Sequence, residues 1–384
     1  MDLPGFKLID VSGNRVLTLH VEYEPIQQCP RCGSNRLRTK ESFWRRIRHV
    51  LFGQRPSWLE VKAHKYRCYD CGGYFNSRFN GIKPRKRATE PARHEVTTLH
   101  HDGVAQSTLQ QKLKLGSATV ERWYQDFFDI KSRELTGALC PRVMGIDEHF
   151  FTRKDGFATT IADLSKQKVF DVVLGRSESS LRSYLRSLLG KERVRVIVMD
   201  LSETYRAIAK KHFVNALVVA HRFHVIRLVN HQFVKTWSEL DEKGRKNKGL
   251  LSLMRRHPDR MCDDQRTNLN NYIRSVPGLL PLYIVWQDLL RLLRKSGLNQ
   301  RGCKEIVPEF VWIIEELKRT PFRHLQTLGH TLDNWKEEIA RMFRFSKTNG
   351  ITEGLHNKME MISRRAYGFR NFENYRLSVR VLCG

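Results

Sequence analysis

Three acidic residues, Asp147, Asp200 and Glu353, stand in sequence settings that suit metal ligands. Each aspartate follows an apolar run, residues 143–146 and 194–199, and each run predicts a buried strand that stops at the carboxylate. Glu353 lies instead in a segment with helical periodicity. Because ligands of α/β sheets bind beyond the carboxyl ends of strands, this set predicts a site for two divalent cations. Nucleases and strand transferases carry carboxylates in this order of elements.

A structural alternative stays open for either aspartate taken alone, because a carboxylate after a strand often only caps the next helix. The helix around Glu353 favours the site, since its apolar stripe and its polar face separate cleanly. The stripe holds Ile351, Leu355, Met359 and Ile362, and the polar face holds Glu353, Asn357, Glu360 and Arg364. This helix can therefore bury one face on a sheet and present Glu353 beside both aspartates.

Two C-x-x-C pairs stand among the eight cysteines, and they consist of Cys29, Cys32, Cys68 and Cys71. Each pair is followed by a glycine, Gly33 or Gly72, which lets backbone N–H groups turn toward the sulfurs. Four thiolates suit one tetrahedral Zn²⁺, although the gap between the pairs exceeds the ~15–20 residues of the commonest pattern. Residues 58–67 alternate as a strand, so we expect a zinc ribbon with a long hairpin. Unrelated reduced cysteines are the alternative.

The chain is strongly basic, with 68 Lys and Arg against 40 Asp and Glu and a net charge of +28. Such an excess repels itself unless a polyanion binds, and double-stranded DNA is the favoured partner, with a membrane surface as the alternative. No apolar run approaches the ~18–20 residues that span a bilayer, and the N-terminus has no signal-peptide pattern. We therefore expect an intracellular protein with reduced thiols and no membrane partner.

A basic run and a helical segment follow the cysteines. The run consists of Lys83, Pro84, Arg85, Lys86 and Arg87, and it is either a solvated linker or a phosphate contact. Residues 89–129 predict three short helices, the second with a capping pattern at Ser107 and the third starting after Gly116. This pattern indicates a helix-turn-helix, whose outward-facing side chains would be Thr119, Glu121, Arg122 and Gln125.

Residues 136–234 predict a mixed domain. Strands at 156–163 and 168–174 form a hairpin after the Asp147 strand. Leu181, Leu185 and Leu189 then share one face of a helix that ends at Gly190. The Asp200 strand, a further helix and a strand at 216–220 complete a ribonuclease H-like sheet.

The rest of the chain completes an α+β multidomain protein. Residues 235–340 predict helices only, as in 279–293 and 310–317, and thus an all-α insertion into the catalytic domain. The expected domains are a zinc-ribbon DNA-binding domain, a basic linker with the helix-turn-helix, the first catalytic part, the insertion, and the final catalytic helix with the C-terminus. Their bounds are 1–82, 83–135, 136–234, 235–340 and 341–384.

At these residues the sequence resembles the ISL-three family of bacterial insertion-sequence transposases. The resemblance covers essentially the whole chain and is strongest at Gly145-Ile146-Asp147-Glu148, at the two cysteine pairs, and between Thr348 and Phe372. It implies a DDE triad of Asp147, Asp200 and Glu353, Mg²⁺ or Mn²⁺ dependence, and recognition of terminal inverted repeats. Family members usually show Asp before Arg-Phe-His, where this chain has His221. Because this position lies outside the triad, the departure concerns secondary properties of the site more than catalysis itself.

The implied chemistry is DNA cleavage and strand transfer by a cytoplasmic, nucleoid-associated enzyme that acts as a homodimer on paired DNA ends. His224 is a further catalytic candidate, for orienting a phosphate or moving a proton, with a packed core histidine as the alternative. Arg364 and Arg365 are candidates for phosphate binding. Two other functions stay open, namely a catalytically silent DNA-binding regulator derived from a transposase and a nuclease that hydrolyses without strand transfer.

Overall fold

The computed structural model describes residues 3–25, 27–345, 350–366, 368–369 and 371–384. The side chains of His101, Thr352 and Glu353 also lie outside this description, so the predicted third carboxylate is placed by its backbone alone. The chain divides into two compact units, the first formed by residues 1–134 and 362–370 and the second by 135–361 and 371–384.

The first unit is built on a five-stranded sheet. Strand order is β1-β2-β4-β3, with β5 paired to β4, and β2 runs parallel to β4 while the other pairs are antiparallel. The strands are β1 Phe6–Ser12, β2 Leu17–Tyr23, β3 Leu37–Phe52, β4 Arg55–Cys68 and β5 Tyr74–Asn76. The predicted strand at 58–67 therefore lies inside β4, and β3 and β4 form the expected long hairpin. Leu19, Ile47 and Leu59 are buried at the centre of the sheet's core.

Three helices follow this sheet, namely α1 Glu90–His101, α2 Gln106–Leu113 and α3 Ser117–Leu135. Their buried side chains form one small core of Val96, Leu109, Leu113 and Val120. The predicted cap at Ser107 is wrong, because α2 already begins at Gln106, with Ala105 in the capping position and no side-chain hydrogen bond. The backbone N–H of Leu109 bonds to the carbonyl of Ala105 at 3.0 Å, which extends the helix back past Ser107.

The second unit contains a mixed five-stranded sheet in the order β10-β9-β6-β7-β8. Its strands are β6 Val143–Thr152, β7 Gly156–Asp163, β8 Lys168–Leu174, β9 Val196–Met199 and β10 Leu217–Ala220. Antiparallel pairing joins β6, β7 and β8, whereas β9 and β10 run parallel to β6. The hairpin strands have the bounds predicted from the sequence.

One strand differs from the prediction at the candidate site. The sequence predicts that the strand ends at Asp147, but β6 continues to Thr152. The reason is pairing on the other side: beyond Ile146, β6 loses its parallel neighbour β9 but stays bonded to β7 as far as Thr152. Asp147 thus lies at the point where the parallel part of the sheet ends, even though its own strand does not.

Twelve helices of the described chain belong wholly or largely to the second unit. They are α4 Glu178–Ser187, α5 Glu203–His212, α6 Arg222–Leu240, α7 Glu242–Lys246, α8 Lys248–Arg255, α9 Asp263–Ser275, α10 Leu279–Arg294, α11 Gln300–Arg319, α12 Arg323–Asn334, α13 Lys336–Arg344, α14 Gly350–Arg365 and α15 Phe372–Cys383. As predicted, residues 235–340, all of which are described, contain helices and no strand. No helix among the described residues combines the length and the apolar character needed to cross a membrane.

The predicted end of α4 is wrong. This helix ends at Ser187, and Leu189 is 53% exposed rather than part of the buried face. Leu189 instead forms a parallel bridge with Leu139, which pulls the chain out of the helix before Gly190. Leu181 and Leu185 are buried as expected.

A buried ion pair joins α5, the helix that follows β9, to α13. The guanidinium of Arg206, on α5, donates to the Glu338 carboxylate on α13 at 3.0 Å and to the carbonyl of Asn334 at 2.7 Å. Both side chains are largely buried, 12% and 6% exposed. The guanidinium also stacks on Trp335, 3.5 Å from the ring centroid. Removing either charge therefore leaves the other in a site that water barely reaches.

We expect Glu338→Ala to lower the free energy of unfolding by about 3 kcal/mol, because the buried Arg206 charge keeps only the exposed Glu203 as an acidic partner among the described residues. Urea denaturation of the full chain measures this change. The matched control is Glu242→Ala, which removes an exposed ion pair with Lys246 (side chains 73% and 68% exposed). The control should change stability far less, because exposed ion pairs contribute little. Equal effects of the two substitutions would contradict this role for Arg206.

Candidate functional site

The parallel strands of the second sheet place three polar residues side by side. Ile146 pairs with Met199, and Met199 pairs with Ala220, so the three positions form one row across β6, β9 and β10. The residues that follow this row are Asp147, Asp200 and His221. Because successive residues of a strand alternate in direction, these three side chains leave the sheet on a common face at its carboxyl edge.

Both aspartates of this edge are poorly hydrated. Asp147 is 7% exposed, and its Oδ1 accepts a hydrogen bond from the backbone N–H of Glu148 at 2.9 Å. Burial, with the neighbouring Asp200 and Glu148 charges, raises the pKa of Asp147 to about 7. Burial and the Glu148 charge raise the pKa of Asp200 to about 6. Burial and mutual repulsion disfavour the ionised form of both carboxylates, so a positive charge bound between them would stabilise that form.

Three histidines surround Asp147. His224 Nε2 lies 3.8 Å from Asp147 Oδ1, and His356 Nδ1 lies 3.9 Å from Asp147 Oδ2. His221 packs against His224 with ring centroids 4.6 Å apart. Burial lowers the pKa of His221 to about 3 and that of His356 to about 4, and nearby histidines add to both shifts. At neutral pH both rings are therefore uncharged and offer one nitrogen lone pair each.

A chain of hydrogen bonds holds the His356 ring through its Nε2 atom. Its Nε2 lies 3.2 Å from Thr160 Oγ1, which is also 2.9 Å from His149 Nδ1. The second ring nitrogen of His149 lies 3.0 Å from the hydroxyl of Tyr375 on α15. The network thus joins β6, β7, α14 and α15, and it fixes the orientation of the ring that faces Asp147.

The side chains at the sheet edge fit a divalent cation. Asp200 Oδ1 and both ring nitrogens of His221 are buried and have no hydrogen-bond partner among the described residues. Unpartnered buried polar atoms are costly unless another group satisfies them. One ligand atom each from Asp147, His221 and His224 lies within 4.8 Å of the others. Oxygen and imidazole nitrogen are both metal donors, so the donor set suits a bound cation.

The structure places His224 beside Asp147, with Asp200 after the neighbouring strand. Two further histidines, His221 and His356, also lie near Asp147. His221 follows an apolar strand just as Asp200 does, which was the available signal. His356 lies three positions after Glu353 on α14, a spacing typical of paired ligands on one helix face. The predicted apolar stripe of this helix is buried at Leu355 and Met359.

The four cysteines of the two C-x-x-C pairs form a second cluster. Cys29 Sγ lies 3.6 Å from Cys71 Sγ, and Cys32 Sγ lies 3.6 Å from Cys68 Sγ. Four Zn–S bonds of ~2.3 Å arranged as a tetrahedron place sulfurs about 3.8 Å apart, close to these distances. The cluster therefore fits a zinc ribbon.

The backbone around this cluster favours thiolates at Cys29 and Cys68. Gly33 and Gly72 have φ of 75° and 69°, the left-handed region that glycine tolerates best. Their N–H groups bond back to the carbonyls of Cys29 and Cys68 at 2.8 and 3.1 Å, closing each turn. Hydrogen bonding from the backbone of Arg31 lowers the pKa of Cys29 to about 6, and that of Cys71 lowers the pKa of Cys68.

The residues of the basic run at 83–87 are exposed, but the run is not a free linker. The carbonyl of Arg87 accepts from Arg48 N–H at 2.9 Å, and Thr89 N–H donates to the carbonyl of Arg48 at 2.9 Å. Lys83 pairs with Glu90 at 3.2 Å, and Lys86 pairs with Asp126 at 3.9 Å. These main-chain hydrogen bonds hold the segment along β3, and Arg85 and Arg87 are exposed to solvent.

The remaining candidates for DNA contact lie on helix surfaces. Arg122 and Gln125 are exposed on α3, and Thr119 is half-buried beneath the Arg122 guanidinium, which donates to its hydroxyl at 3.4 Å. Arg364 and Arg365 are exposed in the last turn of α14. In each set the positive or polar groups reach solvent, as contact with a phosphate or a base edge requires.

Comparisons with known proteins agree with this architecture. A family model of the ISL3 group, described as a transposase, matches residues 144–379. A second model, described as the zinc finger of the transposases of IS204, IS1001, IS1096 and IS1165, matches residues 26–71. The first match contains the whole candidate site, and the second contains all four clustered cysteines.

Two characterised proteins are similar in sequence. The transposase for insertion sequence element IS1001 of Bordetella parapertussis is 22% identical over 376 residues, covering 94% of this chain and 91% of that protein. An ATP-dependent protease of Lactococcus lactis subsp. lactis is 26% identical over 108 residues, covering 25% of this chain and 35% of that one. Since the ISL3 model spans more than half of the sequence, the chain belongs to the ISL3 family of insertion-sequence transposases.

Proposed function

We propose that this protein is a DDE transposase that binds the terminal inverted repeats of a bacterial insertion sequence, cuts the DNA and joins it to a target. The observation that carries the proposal is the row of Asp147, Asp200 and His221 at the carboxyl edge of three parallel strands. Buried carboxylates with raised pKa and unpartnered buried atoms support a cation site there. The strand order supports a ribonuclease H-like catalytic domain.

The catalytic assignment uses three carboxylates. Asp147, Asp200 and Glu353 would hold the catalytic Mg²⁺ or Mn²⁺ ions. Bound cations supply the positive charge that activates the attacking water or 3′-OH and neutralises the leaving 3′ oxygen. Glu353 is assigned from its position on α14, three residues before His356, whose ring faces Asp147.

The histidines orient the reacting groups. His224, 3.8 Å from Asp147, is placed to hold a phosphate oxygen or to accept a proton from the attacking oxygen. His356 is a positioning residue, because its hydrogen-bonded ring holds the Asp147 carboxylate from the other side. Burial excludes water around these groups, which strengthens every electrostatic contact with the scissile phosphate.

The first unit supplies DNA binding. The zinc ribbon, the exposed arginines of the 83–87 segment and the helix-turn-helix of α2 and α3 form the end-binding surface, and α3 reads bases through Arg122 and Gln125. Lys83 and Lys86 contribute positive charge but are partly engaged by acidic partners, whereas Thr119 supports Arg122. Arg364 and Arg365 add phosphate contacts. The protein acts as a homodimer on paired ends, in the bacterial cytoplasm on nucleoid DNA.

The catalytic prediction concerns the carboxylates. Asp147→Asn, Asp200→Asn and Glu353→Gln should each lower cleavage of an inverted-repeat end at least ~100-fold, since each removes a direct metal ligand while even supporting residues affect metal sites 10–100-fold. Incubation of labelled ends with Mg²⁺, resolved for nicked and joined products, measures the loss.

The control is Glu360→Gln, an exposed carboxylate on the same helix α14, which should keep most of the activity. Binding of DNA ends should survive in all four variants. Normal cleavage and joining by Glu353→Gln, with loss in Glu360→Gln, would show that the third carboxylate is misassigned. A nuclease without transfer would give nicked products and no joined ones.

The zinc prediction is one Zn²⁺ per chain, held by the four clustered thiolates. Cys68→Ser should lose the metal and weaken end binding more than about tenfold, because formation of the metal site and folding of the ribbon are coupled. Elemental analysis and a binding titration measure both. Cys262→Ser is the control, since Cys262 is exposed and precedes α9, and it should change neither. A zinc-free wild-type protein that binds ends normally would refute the assignment.

The DNA-binding prediction separates phosphate contacts from base contacts. Replacing Arg85 and Arg87 with Ala should weaken binding to specific and random DNA alike. It should also reduce the slope of log K against log salt concentration by the equivalent of about two phosphate contacts. Replacing Arg122 or Gln125 with Ala should cost about 1–3 kcal/mol on the inverted repeat only. Titrations at several salt concentrations measure both effects. Equal losses on both DNAs for the second pair would argue against α3 as the recognition helix.

A further inference from the structure

His221 occupies a position that packing alone does not explain. It is 4% exposed, immediately precedes α6 as its capping residue, and makes no capping hydrogen bond with its side chain. Both of its ring nitrogens are buried without a partner among the described residues. A buried imidazole normally bonds through at least one nitrogen, so this ring lacks the contacts that a structural histidine would have.

The neighbours of His221 are themselves metal donors. His224 follows one turn later on α6, with its ring 4.6 Å from that of His221. Asp147 lies beside both, and one donor atom from each of the three residues lies within 4.8 Å of the other two. Two imidazoles and one carboxylate on one side of an ion leave its other positions open to water, to further carboxylates or to oxygens of a substrate.

We propose that His221 and His224 join Asp147 as direct ligands of one divalent ion, and that this position therefore prefers a first-row transition ion such as Mn²⁺ over Mg²⁺. The inference deepens the proposed function and rests on it, and it assigns His224 to metal binding in place of holding a phosphate or accepting a proton. Imidazole nitrogen binds transition ions well, whereas Mg²⁺ prefers oxygen ligands in near-ideal octahedral geometry. Asp200, whose Oδ1 is buried and unpartnered among the described residues, follows the neighbouring strand at the same edge of the sheet.

The ligand set can be tested without measuring activity. The full-length, zinc-containing protein is loaded with one equivalent of Mn²⁺ and studied by pulsed electron paramagnetic resonance, which detects ¹⁴N nuclei bonded to the ion. We expect couplings to two imidazole nitrogens in the wild type. The cysteine cluster contributes none, because its four donors are sulfur.

Two variants identify the nitrogens. His221→Asp should lose one coupling and fold normally, because Asp is a favoured residue at a helix N-cap. It should also shift the competition between Mn²⁺ and Mg²⁺ about tenfold or more toward Mg²⁺, the size of effect that ligand surroundings exert. His224→Gln should lose the other coupling. His231→Gln, an exposed histidine on the same helix, is the control and should keep both couplings.

Bound Mn²⁺ without nitrogen coupling, couplings unchanged in both variants, or no Mn²⁺ binding at all would overturn the inference. Such a result leaves the proposed function standing if the wild type still cuts and joins DNA with Mg²⁺ and Asp147→Asn does not. Conversely, nitrogen couplings in a protein that never cuts DNA would support the ligand set and refute the transposase chemistry. The two failures are therefore distinguishable.

Discussion

The candidate site depends on one constraint, the register of three parallel strands. Ile146, Met199 and Ala220 are fixed side by side by main-chain hydrogen bonds, so whatever residue follows each of them enters the same small volume. A shift by one residue in any of these strands would turn its polar side chain to the opposite face of the sheet. These strands are almost continuously apolar and buried, so their main-chain pairing rather than an alternating pattern fixes the register.

The same constraint produces an electrostatic problem. Two aspartates are held where water is scarce, and their pKa values rise to about 7 and about 6 as a consequence. Neighbouring neutral histidines offer lone pairs rather than positive charge. A divalent cation resolves this imbalance most directly, since it supplies charge to the carboxylates and accepts the nitrogen lone pairs at once. The side chains at this edge of the sheet therefore suit a metal ion independently of any bound DNA.

In the first unit, a small sheet that carries much positive charge has to be stabilised. Its core is supported by the cysteine cluster and by the basic segment at residues 83–87, which is bonded along β3. The arrangement holds Arg85 and Arg87 in solvent next to a folded surface. A polyanion that binds there meets charges already held in place, so less conformational entropy is lost on binding.

Local sequence patterns determined much of this protein. The cysteine pairs with their glycines, the hairpin at 156–174, the apolar strands before Asp147 and Asp200, and the helical region at 235–340 all follow from residue type and spacing. The resemblance to ISL3 transposases is likewise carried by short motifs, and the family match agrees with it. These features are local, so neighbouring residues suffice to specify them.

Tertiary structure decided what the local patterns could not. Asp147 lies within its strand rather than at its end because β7 continues to pair with β6, and α4 ends early because Leu189 pairs with Leu139. Most importantly, only the sheet register brings His221 to Asp147, and only the docking of α14 brings His356 there. Contacts between residues far apart in the chain depend on how the elements pack, and periodicity in one segment carries no information about its partner in another.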